Sequence, residues 1–218
     1  MRSRESILER TAEHVRELLA DDCSGHDWWH IARVRAAALA IGKHEGADLY
    51  VVELAALLHD VADWKFHSGD HTAGSRAAAE WLGELEVEQA TIEHVCEIIA
   101  TLSFKGAQVA TPMRTIEGLV VQDADRLDAI GAIGIARTFA YGGHAGQPLH
   151  DPELAPQQHA SFADYKTNRT STINHFYEKL LLLKDRMNTE TGRRLAAERH
   201  AFMQRFLEQF DNEWNGRS

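Results

Sequence analysis

The sequence predicts an all-α chain, on three observations. Apolar residues recur at helical spacing almost from end to end, and no segment shows the strict alternation of a half-buried strand. Three of the four prolines (Pro148, Pro152 and Pro156) fall within one short stretch, which leaves the rest of the chain nearly free of helix breakers.

The elements follow in order. Residues 3–20 carry Ile7, Leu8, Val15, Leu18 and Leu19 at helical spacing. Residues 27–44 place Ile31, Val34, Ala38 and Ile41 on one face. Asp48 is a natural cap for a helix over 49–62. An Ala-rich helix is expected over 71–85. Another is expected over 87–102, on Val87, Ile92, Val95, Ile98, Ile99 and Leu102. Pro112 suits the first turn of a helix running to Asp128. A further helix over 130–141 should stop at Gly142-Gly143. The Pro-rich stretch makes 142–167 a long loop, either a functional lid or a plain surface excursion. Two helices over 168–187 and 190–214 close the chain, too apolar to stand alone.

Composition narrows the function. With 218 residues and 44% hydrophobic content the chain can bury a sizeable core. No apolar run approaches the roughly 20 residues of a membrane span. The N-terminus enters an amphipathic pattern with no apolar signal region, so a soluble, cytoplasmic protein is expected. Cys23 and Cys96 make neither a disulfide framework nor a zinc pattern, and read as reduced cysteines in or near the core. A formal charge of −10 argues against DNA or RNA binding, which needs a positive footprint. It leaves room for a small phosphorylated substrate held by a metal and a few local cations.

The chemistry concentrates in three segments. His59-Asp60 ends the apolar run from Leu54. His26 and His30 lie upstream in a Trp-containing segment, and Asp123 and Asp125 lie downstream. His and Asp are metal-ligand types, and burying them unpartnered is costly. On a helix, His59 and Asp60 are about 100° apart, so they grip one ion only at the edge between them, with other helices supplying the rest. His30 and Asp125 are the natural suppliers. His26 is closer to the helix start and suits substrate phosphate, while Asp123 competes with Asp125. Two nitrogens and two carboxylates suit Mn, Fe, Co, Ni or Zn better than Ca. Four protein ligands on an octahedral ion leave two positions for water and a substrate oxygen.

These residues resemble the HD-domain superfamily of metal-dependent phosphohydrolases, and within it the YedJ/YpgQ-like subfamily. The resemblance is carried by HDWWHIARV (26–34), LLHDVADWKF (57–66), TIEGLVVQDADRLDAIGAIGIARTFAYGG (115–143) and INHFYEKLLLLKDRMNTETGRRLAAERHAFMQRFLEQF (173–210), and extends over about residues 5–212. It implies a single HD-type domain over 1–218, an all-α helical bundle with additional C-terminal helices. It implies metal ligands at His30, His59, Asp60 and Asp125, holding one divalent ion: Mn, or Fe, Ni, Co, Mg or Zn. Several superfamily members place a Glu three residues after the motif's Asp, near the attacking water. Asp63 stands there in this chain, one methylene shorter. The subfamily implies hydrolysis of nucleoside triphosphates to monophosphates and pyrophosphate. Other phosphoesterase activities, or a non-enzymatic nucleotide sensor, are the alternatives.

Lys65, Lys105, Arg33 and Arg126 are candidates to neutralise substrate phosphates, although for the arginines a supporting salt bridge explains the charge equally well. His94 is a candidate on the substrate side or a satisfied core histidine. Trp28, Trp29 and Trp64 flank the motifs and read as packing before base stacking. Gly131 and Gly134 permit close helix packing in the core or at a homodimer interface. The runs 180–183 and 202–210 are also available to a dimer.

Overall fold

In the computed structural model the chain is described over residues 2–20, 27–61, 72–102, 112–157 and 170–217. Among these residues there are nine α-helices, one 3-10 helix and no strands. The all-α expectation is met. No helix among them is long and apolar enough to cross a membrane. The chain forms two compact units, one of residues 1–104 with 111–124, the other of 105–110 with 125–218.

The first unit holds α1 (Arg4–Leu18), α2 (Trp28–Glu45), α3 (Leu49–Leu58), α4 (Ala73–Glu84), α5 (Gln89–Leu102) and the start of α6 (Ile116–Asp128). Helix α3 is its centre. Seven of its ten residues are buried, and it packs against α1, α2 and α5, while α4 packs on α5. Capping sets the starts of these helices. The side chains of Ser3, Asp27 and Asp48 accept the orphan N–H groups of Ser6, His30 and Tyr50. Gly46, at φ +73°, ends α2 in the left-handed region. Cys96 is a free thiol donating to the Ser75 carbonyl, and burial pushes its pKa up. Cys23 lies outside the described residues.

Two boundaries differ from the sequence expectation here. Helix α6 begins at Ile116, so Pro112 precedes it rather than sitting in its first turn. The Thr115 hydroxyl, accepting the Gly118 N–H at 3.3 Å, makes the start. Helix α3 ends at Leu58 rather than near residue 62, with His59–Val61 in a turn closed by Val61 N–H to the Leu58 carbonyl.

The second unit holds the end of α6, α7 (Gly131–His144), α8 (Thr172–Glu178), the 3-10 helix Leu180–Arg186 and α9 (Glu190–Trp214). Its core is an aromatic cluster. Phe139, Phe176 and Phe206 lie with ring centroids 5.8–6.0 Å apart, and Phe210 and Trp214 continue the row along α9. Helix α7 runs through Gly142-Gly143 to His144, and Gly146 (φ +66°) just beyond it turns the chain, with Gln147 N–H reaching the Gly142 carbonyl. Gly142 is needed inside the helix because a Cβ there would meet the Thr172 hydroxyl at 2.2 Å. The helix expected over 168–187 is divided, because Lys179 leaves helical geometry (φ −140°, ψ −58°).

The described part of the Pro-rich loop is tied down. Pro148 and Leu149 carbonyls accept the N–H groups of Thr172 and Ile173, and the Leu154 carbonyl accepts the Asn174 amide at 2.8 Å. Residues 158–167 of that loop lie outside the described residues. Leu180 and Leu183 are buried, so that run is spent on the unit's own core, whereas Phe202 is exposed.

Candidate metal centre

Two helix ends in the first unit bring the site together. At the start of α2, Asp27 accepts the His30 main-chain N–H at 2.9 Å, which fixes the first turn. His30 then sits on the same face as Val34, one turn on, and is 1% exposed. At the end of α3, His59 is the cap residue, and its Nδ1 lies 2.9 Å from the Ala56 carbonyl. That oxygen is one of the carbonyls a helix end leaves without an intrahelical partner. Nδ1–H donates to it, and the lone pair of the neutral ring is left on Nε2.

The three side chains meet at one point. Nε2 of His30 and Nε2 of His59 are 3.2 Å apart, and Oδ2 of Asp60 is 3.5 Å from each. The imidazoles meet edge to face, ring centroids 5.2 Å apart. His59 keeps right-handed helical dihedrals (φ −64°, ψ −27°), so His59 and Asp60 reach the centre from the edge between them, and His30 of α2 closes it from the other side.

This donor set fits a divalent cation. Ligand atoms about 2.0–2.2 Å from one ion stand roughly 3–3.5 Å from each other, as these do. With His59 held as the Nε2 lone-pair tautomer, a cation satisfies both imidazoles and the carboxylate together. Two imidazoles and one carboxylate are borderline donors suited to first-row divalent metals, and three protein ligands leave positions open for water and substrate. Among the described residues, this is the group of His, Cys, Asp and Glu whose ligand atoms close to such distances.

The other expected site residues fall elsewhere. Asp125 lies on α6 in the second unit and is partly exposed, while Asp123 is fully buried. His94 is half-buried. Its Nε2 is 2.8 Å from the Thr115 hydroxyl and 3.6 Å from the Glu117 carboxylate, whose other oxygen accepts the Asp48 N–H. The Arg126 guanidinium is buried and donates to the Arg186 carbonyl, a supporting role within its own unit. Trp29 is 63% exposed and Trp28 is partly exposed. His26, Asp63, Trp64, Lys65 and Lys105 lie outside the described residues.

Sequence reasoning missed Asp27 as the cap that orients His30, and Ala56 as the acceptor that fixes the His59 tautomer. The first was signalled by an Asp three residues before an inward-facing His. The second was signalled by a His at a helix end, where carbonyls await donors.

The fold and the two-histidine, one-carboxylate centre define a class, and comparison with known proteins agrees. The HD domain family model matches residues 28–130. The chain belongs to the HD-domain family and is a hydrolase of the metal-dependent phosphohydrolase class. Among individual relatives, it is 41% identical over 209 residues to Bacillus subtilis YpgQ, covering 95% of this chain and 94% of that one. An HD-superfamily hydrolase from Bacillus thuringiensis superposes with a TM-score of 0.78 at 46% identity, over 98% of this chain and 99% of its own. The structure of Bacillus subtilis YpgQ in complex with ADP superposes with a TM-score of 0.77 at 36% identity, over 96% of each chain.

Proposed function

We propose that this chain is a nucleotide pyrophosphohydrolase that converts nucleoside or deoxynucleoside triphosphates to the monophosphate and pyrophosphate. The observation that carries the reading is the convergence of His30 Nε2, His59 Nε2 and Asp60 Oδ2 to within 3.5 Å of one another. That a similar protein, YpgQ, is seen with ADP supports a nucleotide as the ligand.

His30, His59 and Asp60 hold one divalent ion, with Asp125 as the fourth ligand and Mn as the first choice of metal. When bound, such an ion neutralises phosphate charge and lowers the pKa of water from about 15.7 toward about 7. The Ala56 carbonyl keeps the His59 ring in its ligating tautomer. Asp63 takes the proton of the attacking water. The water oxygen bonds to the α-phosphorus, the bridging P–O bond breaks, and its electron pair leaves with pyrophosphate. Lys65, Lys105, His26 and His94 contact the phosphates, and Trp29, adjacent to His30 and exposed, offers a face for the base.

The test is a substrate panel on metal-reconstituted protein, with phosphate and pyrophosphate read separately by phosphorus NMR. Pyrophosphate and a nucleoside monophosphate in equal amounts are expected from triphosphates. Orthophosphate from monophosphates points to a nucleotidase, and tight nucleotide binding without turnover across several divalent ions points to a sensor. Either result overturns the proposal.

A further inference from the structure

Helices α2 and α3 form an antiparallel hairpin that is pinned at one end and carries the metal centre at the other. At the turn, Gly46 and the Asp48 cap reverse the chain, and Ala47 N–H donates to the Gly42 carbonyl. The two helices touch at Gly42, where a Cβ would stand 3.1 Å from Leu49 Cδ2 and 3.6 Å from Val52 Cγ2. At the open end, His30 and His59 face each other across 3.2 Å. The arm from Gly42 to His30 is about 18 Å long at about 1.5 Å per residue. A change of about 5° in the helix crossing, pivoting at Gly42, moves an imidazole at the end of that arm by about 1.5 Å. Metal–ligand distances tolerate only about 0.2 Å. Apolar packing is non-directional and does not by itself fix an angle that closely.

A charge-assisted bond crosses the pair between the pivot and the centre. Arg35 of α2 donates through Nε to Glu53 Oε1 of α3 at 2.8 Å, and its terminal NH2 group closes on the same oxygen. Glu53 is 12% exposed and Arg35 33%. A guanidinium fork on a carboxylate has a direction as well as a length. Fastened at Arg35, the free arm to His30 shortens to about 7.5 Å, and the same change in crossing moves the ring by about 0.7 Å. Neither side chain belongs to the group that converges on the ion.

We propose that Arg35 and Glu53 are positioning residues for the metal centre: their bond locks the crossing of α2 on α3 so that His30 and His59 arrive at ligating separation. The proposal rests on the centre formed by His30, His59 and Asp60 and is independent of which phosphorylated substrate is hydrolysed. Metal affinity depends on the pair more than the fold does. A partly exposed ion pair contributes little to stability, whereas groups that orient ligands from outside the coordination sphere are worth about ten- to a hundredfold in affinity.

The experiment measures Mn binding to the full-length protein by loss of the free-Mn signal in electron paramagnetic resonance, with circular dichroism and the metal-free Tm alongside. Arg35→Met and Glu53→Ala should each raise the Kd for Mn about tenfold, and the double variant should be no weaker than either, since both break one bond. Glu53→Gln keeps Oε1 as an acceptor and should stay within about threefold of the wild type. Ala78→Gly, buried on α4, lowers the metal-free Tm and should leave the Kd unchanged. If Arg35→Met fails to fold, Arg35→Lys takes its place; it keeps the charge, loses the fork and should raise the Kd about threefold. An unchanged Kd in the Arg35 variant beside a wild type that binds Mn, additive losses in the double variant, or an equal loss in Ala78→Gly overturns this proposal alone. No Mn binding by the wild type overturns the metal centre itself.

Discussion

Nε2 of His30 and Nε2 of His59 face each other across 3.2 Å, each delivered by a helix end from a different part of the sequence. A pair of buried imidazoles at this separation, with a carboxylate 3.5 Å from both, is a strong attractor for a cation. Metal binding should therefore stabilise the fold. At a hundredfold excess over its Kd, a ligand specific for the native state adds about 2.7 kcal/mol. Thermal unfolding with and without Mn should show an upward shift in Tm that a chelator reverses.

Removing the carboxylate should separate the site from the fold. In Asp60→Ala the metal-dependent shift in Tm should vanish, and hydrolysis should fall by roughly a hundredfold or more. Helical circular dichroism should persist, since Asp60 lies past the end of α3 and is not part of the core. Bound metal is measured directly by elemental analysis. Full metal occupancy in this variant would remove Asp60 from the ligand set.

The helices were legible because their caps and apolar faces are local properties. Asp48 was read as the start of α3, while Ser3, Asp27 and Gly46 carry the same local signal for α1 and α2 without having been used. What was not legible depends on distant packing. Nothing near Gly142 reveals that Thr172 will lean on it, so the glycine pair looked like a stop. The His59-Asp60 pair was visible as metal-ligand chemistry, yet the tautomer of His59 was not, since the Ala56 carbonyl sets it. The bond between Arg35 and Glu53 was invisible, because the two meet only once α2 and α3 fold back on each other.

Two glycines give opposite predictions. A Cβ on Gly134 would meet the Ala129 carbonyl oxygen at 2.3 Å, a backbone atom that cannot step aside. The pressure comes from the chain's own turn into α7, not from a neighbouring helix. Gly134→Ala should lower stability by at least about 2 kcal/mol. Gly83, inside α4, has open space around its missing Cβ, so Gly83→Ala should raise stability by about 0.5–1 kcal/mol. Urea midpoints of the two variants should move in opposite directions.

Glu178 is 5% exposed and anchors the loop. Its Oε1 accepts both the Gln157 N–H and the Thr170 hydroxyl, while its Oε2 has no partner. Glu178→Gln keeps an acceptor for both donors and removes a half-satisfied buried carboxylate, so it should change stability by less than about 1 kcal/mol. Glu178→Ala strands both donors and should cost about 2–3 kcal/mol. Equal losses in the two variants would show that the charge, not the acceptor, holds the loop.

Acid sensitivity should trace in part to His175. Burial, with the Lys179 ammonium nearby, pushes its pKa down from 6.5 to about 3. The unfolded chain takes up this proton below about pH 6.5, and the folded chain only near pH 3. Between those values the unfolded state binds one proton more, so stability falls with falling pH by about 1.4 kcal/mol per unit. Above pH 6.5 the ring is neutral in both states and contributes no pH dependence. His175→Gln cannot take up the proton in either state. Denaturant titrations at pH 7 and pH 5 should therefore show the wild type losing about 2 kcal/mol more than the variant over that interval. Parallel losses in the two proteins would mean that the folded state protonates His175 as readily as the unfolded chain does.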